Sequence, residues 1–130
     1  MIKYNVKEGK NPRTGAAMFY AMAAPVTTIK LDFLADEISQ ECTVTAHDIR
    51  AVISAMEEKI IGHLQNGQSV RLGLLGSFCP TLHSDAARTS VEFTNANIKG
   101  IGASFTPSST MKYQLAAGNP KVQFQRIEEE

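Results

Sequence analysis

The sequence predicts an α+β fold, with an amphipathic helical middle between segments of strand periodicity. Three observations predict it. Apolar residues follow helical spacing from Thr28 to Gly67. Outside those limits the apolar period is two. The stretch VRLGLLGSF, residues 70–78, places Gly73 and Gly76 inside an apolar run. Glycine in such a run marks a bulge, a tight bend or a close backbone approach. The chain has 130 residues, 43% hydrophobic and 20% charged, which fits one domain able to bury a core.

IKYNV, residues 2–6, alternates apolar and polar residues as a half-buried strand does. KNPRTG follows and signals a turn. AAMFYAMAA then reads as a return strand with Met18, Tyr20 and Met22 on one face, closing a hairpin that ends at Pro25. Its alanine content also fits a short helix. From Thr28, which can cap a helix, Leu31, Leu34, Ala35 and Ile38 mark an apolar face, with Asp32, Asp36 and Glu37 suited to the positive end of the dipole. TVT interrupts the pattern. Thr45 starts a second helix, with Asp48 three residues on as a variant capping box. Its buried stripe is Ile49, Val52, Ile53, Met56, Ile60 and Leu64, and Gly67 closes it in a left-handed conformation.

After Gly67 the period of two returns. SVRLGLL and SFCPTL read as strands separated by a sharp turn at the glycines. Pro80 cannot donate to a ladder, so its strand needs a free edge or a bulge. Residues 83–104 are polar, with Val91 and Phe93 on one face, Ile101, Ala103 and Phe105 on another, and TNAN as a turn between them. Pro107 and Ser108 open a short helix that ends near Gly118, and KVQFQRI reads as a last strand.

The net charge is zero but unevenly placed. Residues 1–15 hold four basic and one acidic residue, residues 28–66 three basic and seven acidic, residues 67–127 six basic and two acidic, and the last three residues are all Glu. A basic end and an acidic body follow. The apolar runs are too short to span a membrane. The first ten residues lack the apolar core of a signal peptide, so a cytoplasmic protein is expected. Cys42 and Cys79 lack metal-ligand spacing and read as buried thiols. His47, His63 and His83 are scattered, so no metal is expected. Ser54 and Ser77 have no nucleophile-elbow context. The pairs Asp36–Glu37 and Glu57–Glu58 point in different directions on a helix. No catalytic site, cofactor or small-molecule substrate is expected.

The order helix, turn, helix, glycine hairpin, polar arm, short helix resembles the HU and integration host factor family of bacterial DNA-architectural proteins. Four stretches between residues 28 and 116 carry the likeness: VTAHDIRAVISAMEEKIIGHLQNGQSV at 44–70, VRLGLLGSF, AART at 86–89 and FTPSSTMK at 105–112. The terminal segments resemble the extensions of an HU-like group of Bacteroidetes-type bacteria. The division this implies is an N-terminal β extension at 1–27, an HU-like DNA-binding domain at 28–118, and a C-terminal strand with acidic tail at 119–130. The resemblance implies an intertwined homodimer with a three-stranded sheet and two β-arms that reach around the minor groove of double-stranded DNA in the nucleoid. Its seam would hold Ile49, Val52, Ile53, Met56, Ile60, Leu64 and Phe78. Segments 2–6 and 122–127 are candidate partner strands on the body.

The chain departs from the family at two places. Leu74 and Leu75 replace glycine and phenylalanine of the usual hairpin, and no proline lies between Pro80 and Pro107, where the family's wedge sits. KNPRTG at 10–15 is similar to the family's tip but lies outside the arm and reads as a turn. The wedge is then missing unless Phe93, or Val91 or Ile98, substitutes for it. Candidate DNA contacts are Lys30, Arg71, Arg88, Lys99 and Lys112, while Lys10 and Arg13 read as a solvated loop. Two functions remain open: a sequence-tolerant, nucleoid-associated DNA-binding protein, and an HU-like dimeric scaffold for protein–protein interaction. Convergence of the five cations on one surface separates the two.

Overall fold

The computed structural model describes residues 1–127; the acidic triplet at 128–130 lies outside the described residues. The fold is mixed α+β, with three α-helices and two three-stranded sheets among the described residues. Two compact units form, one from residues 1–29 together with the chain from Tyr113 onward, the other from Lys30–Lys112.

In the first unit, β1 (Ile2–Lys10) and β2 (Ala17–Ala23) form an antiparallel hairpin. The expected turn joins them. Asn11 N–H donates to Ala16 O (2.9 Å), Gly15 N–H donates to Asn11 O (2.8 Å), and Asn11 Oδ1 accepts from Arg13 N–H (2.9 Å). An asparagine bonding its own backbone two residues on is a common way to fix such a turn. β2 is therefore a strand, and the helical alternative for residues 16–24 falls. β6 (Phe124–Arg126) lies parallel to β1 with Ile2 opposite Phe124, so the segments 2–6 and 122–127 do pair. Ile2 N–H donates to Gln123 O (2.7 Å) and Ile127 N–H to Tyr4 O (2.8 Å).

In the second unit, α1 (Leu31–Glu41) packs on α2 (Ala46–Gln65). Thr28 does not cap α1. Lys30 is the N-cap, in extended backbone and without a side-chain bond. Its carbonyl accepts from Phe33 and Leu34 N–H (3.1 and 3.2 Å), and Asp32 places a negative charge in the first turn. The helix starts where its apolar face starts, and backbone bonds replace the expected cap. Thr45 does cap α2, accepting from Asp48 N–H at 3.3 Å. Beyond the Asn66 C-cap, Gly67 (φ 77°) donates to Leu64 O (3.0 Å) and Gln68 to His63 O (3.0 Å), the paired bonds of a Schellman motif.

The second sheet has the order β3-β4-β5, antiparallel throughout. β3 is only Val70–Arg71, because the chain already turns at Leu72–Leu75. β4 (Gly76–Ser84) pairs with β5 (Ile98–Pro107) along its length, while β3 covers only Ser77 and Phe78. Pro80 therefore lies where β4 has a neighbour on one side only, and the register slips at His83/Ser84. α2 packs on β3 and β4, and the Phe78 and Phe105 rings meet across the sheet at 5.1 Å. α3 (Ser109–Gln114) is short, as expected, but stops before Gly118.

The glycines now have their reason. Gly73 has φ 50° and Gly76 φ 151°, values that L side chains rarely adopt. Gly73 faces open space and serves the turn alone. At Gly76 a Cβ would collide with the Thr106 carbonyl oxygen and meet Phe105 Cζ and Pro107 Cα at 3.0 Å. The first glycine lets the chain reverse, and the second lets β5 lie against β4.

Burial is sparse. Only Ala24, Ala35, Ile49 and Leu64 form buried apolar core among the described residues. Cys42, expected to be buried, is exposed, since it stands just past α1 where nothing covers it; Cys79 is half-buried in β4. No described helix is long and apolar enough to cross a membrane.

Candidate nucleic-acid interface

Beyond Phe78 the β4–β5 pair runs on as a two-stranded ribbon. Its end is a pinned loop, residues 85–97. Asp85 N–H donates to Asn97 O (2.7 Å), and Lys99 Nζ meets Asp85 Oδ1 at 3.1 Å. Asn97 closes a single 3-10 turn, Asn95–Asn97, by a capping box with Thr94: Thr94 N–H donates to Asn97 Oδ1 (3.1 Å) and the Thr94 hydroxyl accepts from Asn97 N–H, which also makes the backbone bond to Thr94 O (3.0 Å). TNAN is thus a turn. Residues 89–93 do not form the expected strand face; Thr89 Oγ1 accepts from Glu92 N–H (3.3 Å) and the chain turns there. The local cause is composition: hydroxyl and amide side chains offer backbone groups an alternative to ladder bonds.

This loop carries Arg88 beside the Thr89–Glu92 turn. Arg88 is exposed and makes no ion pair among the described residues. Val91 is 90% exposed, against 40% for Phe93. Of the two wedge candidates, Val91 is therefore the more exposed. Lys99 is exposed but already shares its charge with Asp85.

The other candidate cations lie elsewhere in the same unit. Lys30 is the N-cap of α1, and Lys112 stands in the last turn of α3. Arg71 ends β3 opposite Ser77, while Lys99 adjoins Gly100, which lies opposite His83. Six residue steps along β4 separate those two positions, about 20 Å at strand rise. The structure brings Arg88 and Lys99 to one loop region. It does not bring Arg71 to them within a single chain.

The seam residues divide into two sets. Ile49 and Leu64 are each 8% exposed, Ile53 and Ile60 are half-buried, and Val52 and Met56 are 67% and 43% exposed. Phe78 is half-buried against Phe105. The stripe therefore has a more buried row, Ile49, Ile53, Ile60 and Leu64, and a more exposed row, Val52 and Met56.

Two features escaped the sequence reading. Ser108 is an anchor: its N–H donates to Leu75 O (3.0 Å), its hydroxyl donates to Leu74 O, and its Oγ accepts from Met111 N–H (3.0 Å). It ties the glycine turn to α3, and no local pattern marks a contact 34 residues apart. The second is charge. Residues 30–112 hold seven basic and nine acidic residues, whereas residues 1–29 with 113–130 hold six basic and four acidic, three of the four in the terminal Glu triplet. Seeing this requires knowing that β6 joins β1. Among the described residues no group of three metal-ligating side chains converges.

Comparison with curated proteins gives no match. Among solved structures, a crystal structure from Bacteroides vulgatus ATCC 8482, of a protein described provisionally as bacterial and DNA-binding, is similar at a TM-score of 0.69 and 15% identity. The likeness covers 99% of this chain and 49% of that one, so this chain spans about half the length of that relative. Over residues 1–124 the sequence matches the profile of the HU-HIG family, an HU domain fused to a wHTH, Ig or glycine-rich motif, and the chain belongs to that family.

Proposed function

We propose that this chain is a non-enzymatic, nucleoid-associated DNA-binding protein that acts as a homodimer and grips duplex DNA through phosphate contacts and groove shape. The observation that carries the reading is the pinned loop at the end of the β4–β5 ribbon, which presents Arg88 with no competing carboxylate among the described residues beside the exposed Val91. A guanidinium on a protruding ribbon neutralises a phosphate wherever the groove lies, without reading bases. An apolar residue at the same tip can wedge between base pairs and bend the duplex. The homodimer is supported by the more exposed row Val52 and Met56, left open on a 20-residue helix, and by the small core. Membership of an HU-domain family and the printed description of the Bacteroides vulgatus protein speak for DNA as the partner.

The test is an anisotropy titration with two unrelated duplexes, a nicked duplex and a four-way junction across a salt series. Arg88→Ala weakens binding equally for both duplexes and lowers the salt slope by about one unit for each phosphate no longer neutralised, and Lys99→Ala, whose charge is shared with Asp85, adds less than a further unit. Val91→Ala reduces end-to-end bending more than Phe93→Ala does. No binding by the parent protein at low salt overturns the reading and leaves the interaction scaffold.

A further inference from the structure

The outer edge of β2 is unpaired among the described residues. Two bonds fix its phase. Ala24 N–H donates to Lys3 O (2.9 Å) and Asn11 N–H to Ala16 O (2.9 Å), so even-numbered residues of this segment bond to β1. The N–H and C=O groups of Ala17, Phe19, Ala21 and Ala23 therefore point away from the sheet. Exposed edges are ordinarily blunted by charge, proline, a bulge or short length. β2 has none of these: no charged residue and no proline occurs from Ala16 to Ala24. The other edges differ. β5 carries Lys99, two glycines and Pro107, β3 has two residues, and β6 has three with Arg126 among them.

We propose that β2 pairs antiparallel with β2 of a second copy of this chain, in a register centred on Tyr20. The strand AMFYAMA is complementary to its own reverse, with no charge to oppose a like charge and a small residue available opposite its large ring, which is what the isologous contact of a two-fold axis demands. In this register Ala17 faces Ala23 of the second copy and Phe19 faces its Ala21. Those are the outward-pointing residues, so every free backbone group on the edge finds a partner. Met18 faces Met22 of the second copy, and Tyr20 faces itself, in the non-hydrogen-bonded pairs where side chains stand closest. A large ring meets a small methyl at each Phe19–Ala21 pair, and no like charges oppose. Centring on Phe19 or Ala21 instead leaves one outward residue of each strand unpaired. The result is a continuous six-stranded sheet across the two copies.

Cysteine cross-linking of the full chain tests the register, in a Cys42→Ser, Cys79→Ser background at micromolar concentration. In the proposed register the Tyr20→Cys thiols oppose each other with Cβ atoms about 4.5–5.5 Å apart, within reach of disulfide formation. Phe19→Cys thiols face Ala21 instead. Tyr20→Cys should cross-link at least about tenfold faster than Phe19→Cys under mild oxidation. Ala21→Pro, which removes an outward N–H without touching the β1 ladder, should abolish that difference, and Ala21→Lys should do the same if the proline variant loses its circular dichroism. Equal rates for the two cysteine variants, or a Tyr20→Cys rate unmoved by both Ala21 variants, would overturn the proposal.

Discussion

At Gly76 the backbone and its surroundings impose the same demand. Its φ of 151° suits glycine alone, and the Thr106 carbonyl occupies the space of a Cβ. Gly73 shares the conformational demand but faces open space. Gly76→Ala should therefore cost about 3 kcal/mol, from strain plus overpacking, and Gly73→Ala about 1 kcal/mol. Urea unfolding of both variants checks the ranking, and an equal loss would show that the close approach of β5 does not matter. The sequence announced that two glycines were needed and left their separate roles open, because one role depends on a strand 30 residues away in the chain. Lys99 makes a second case. It is legible as a cation on the arm, but its 3.1 Å pairing with Asp85 is a tertiary fact. Exposed pairs of this kind contribute about 0–1 kcal/mol. Asp85→Asn should leave stability nearly unchanged, free Lys99 for phosphate, and steepen the salt dependence of DNA binding by up to about one unit per arm.

Among the elements, α2 is the most legible. Its period, its Thr45 cap and its Gly67 exit are all local chemistry, and all three are present. The start of α1 departs from the expected one because an available threonine says nothing about where packing begins. β3 shrinks to two residues because the same apolar run has to supply both strand and turn. The loop at 85–97 is the least legible, since its pattern of small polar residues fixes no period. The division of α2 into two rows matters for testing the dimer. Ile53 and Ile60 are half-buried in the single chain, so a charge there damages the fold with or without a partner. Met56 is 43% exposed. On a monomer Met56→Asp would be a surface change worth within about 0.5 kcal/mol. In a dimer seam it buries an unpaired charge at a cost of several kcal/mol. Sedimentation of Met56→Asp combined with Ala21→Lys, which blocks pairing through β2, should show monomer or unfolded chain; a stable dimer of that double variant would remove α2 from the interface.

Across the whole molecule, charge is partitioned in a way that net charge conceals. The unit holding the ribbon has seven basic and nine acidic residues, and the unit holding the first sheet has six basic and four acidic, three of the four in the terminal Glu triplet. The DNA contacts proposed on the loop therefore act as local points, Arg88 foremost. They do not rest on a broad positive field from their own unit. Family membership is legible from four short stretches, yet the pairing of β1 with β6 joins the two ends of the chain and is visible in the sequence only as a pair of candidate segments.

The four-residue core has a consequence for how the protein exists at different abundances. In the proposed dimer, folding and association become one bimolecular event, and each chain acts as the stabilising ligand of the other. The thermal midpoint should then rise with protein concentration, each tenfold increase adding about 1.4 kcal/mol per dimer, and refolding should follow second-order kinetics. A midpoint unchanged over a hundredfold dilution would mean that the single chain is stable alone. A cell that makes little of this protein would hold it mostly unfolded and open to proteolysis, so its own rate of synthesis would set the threshold at which it begins to act.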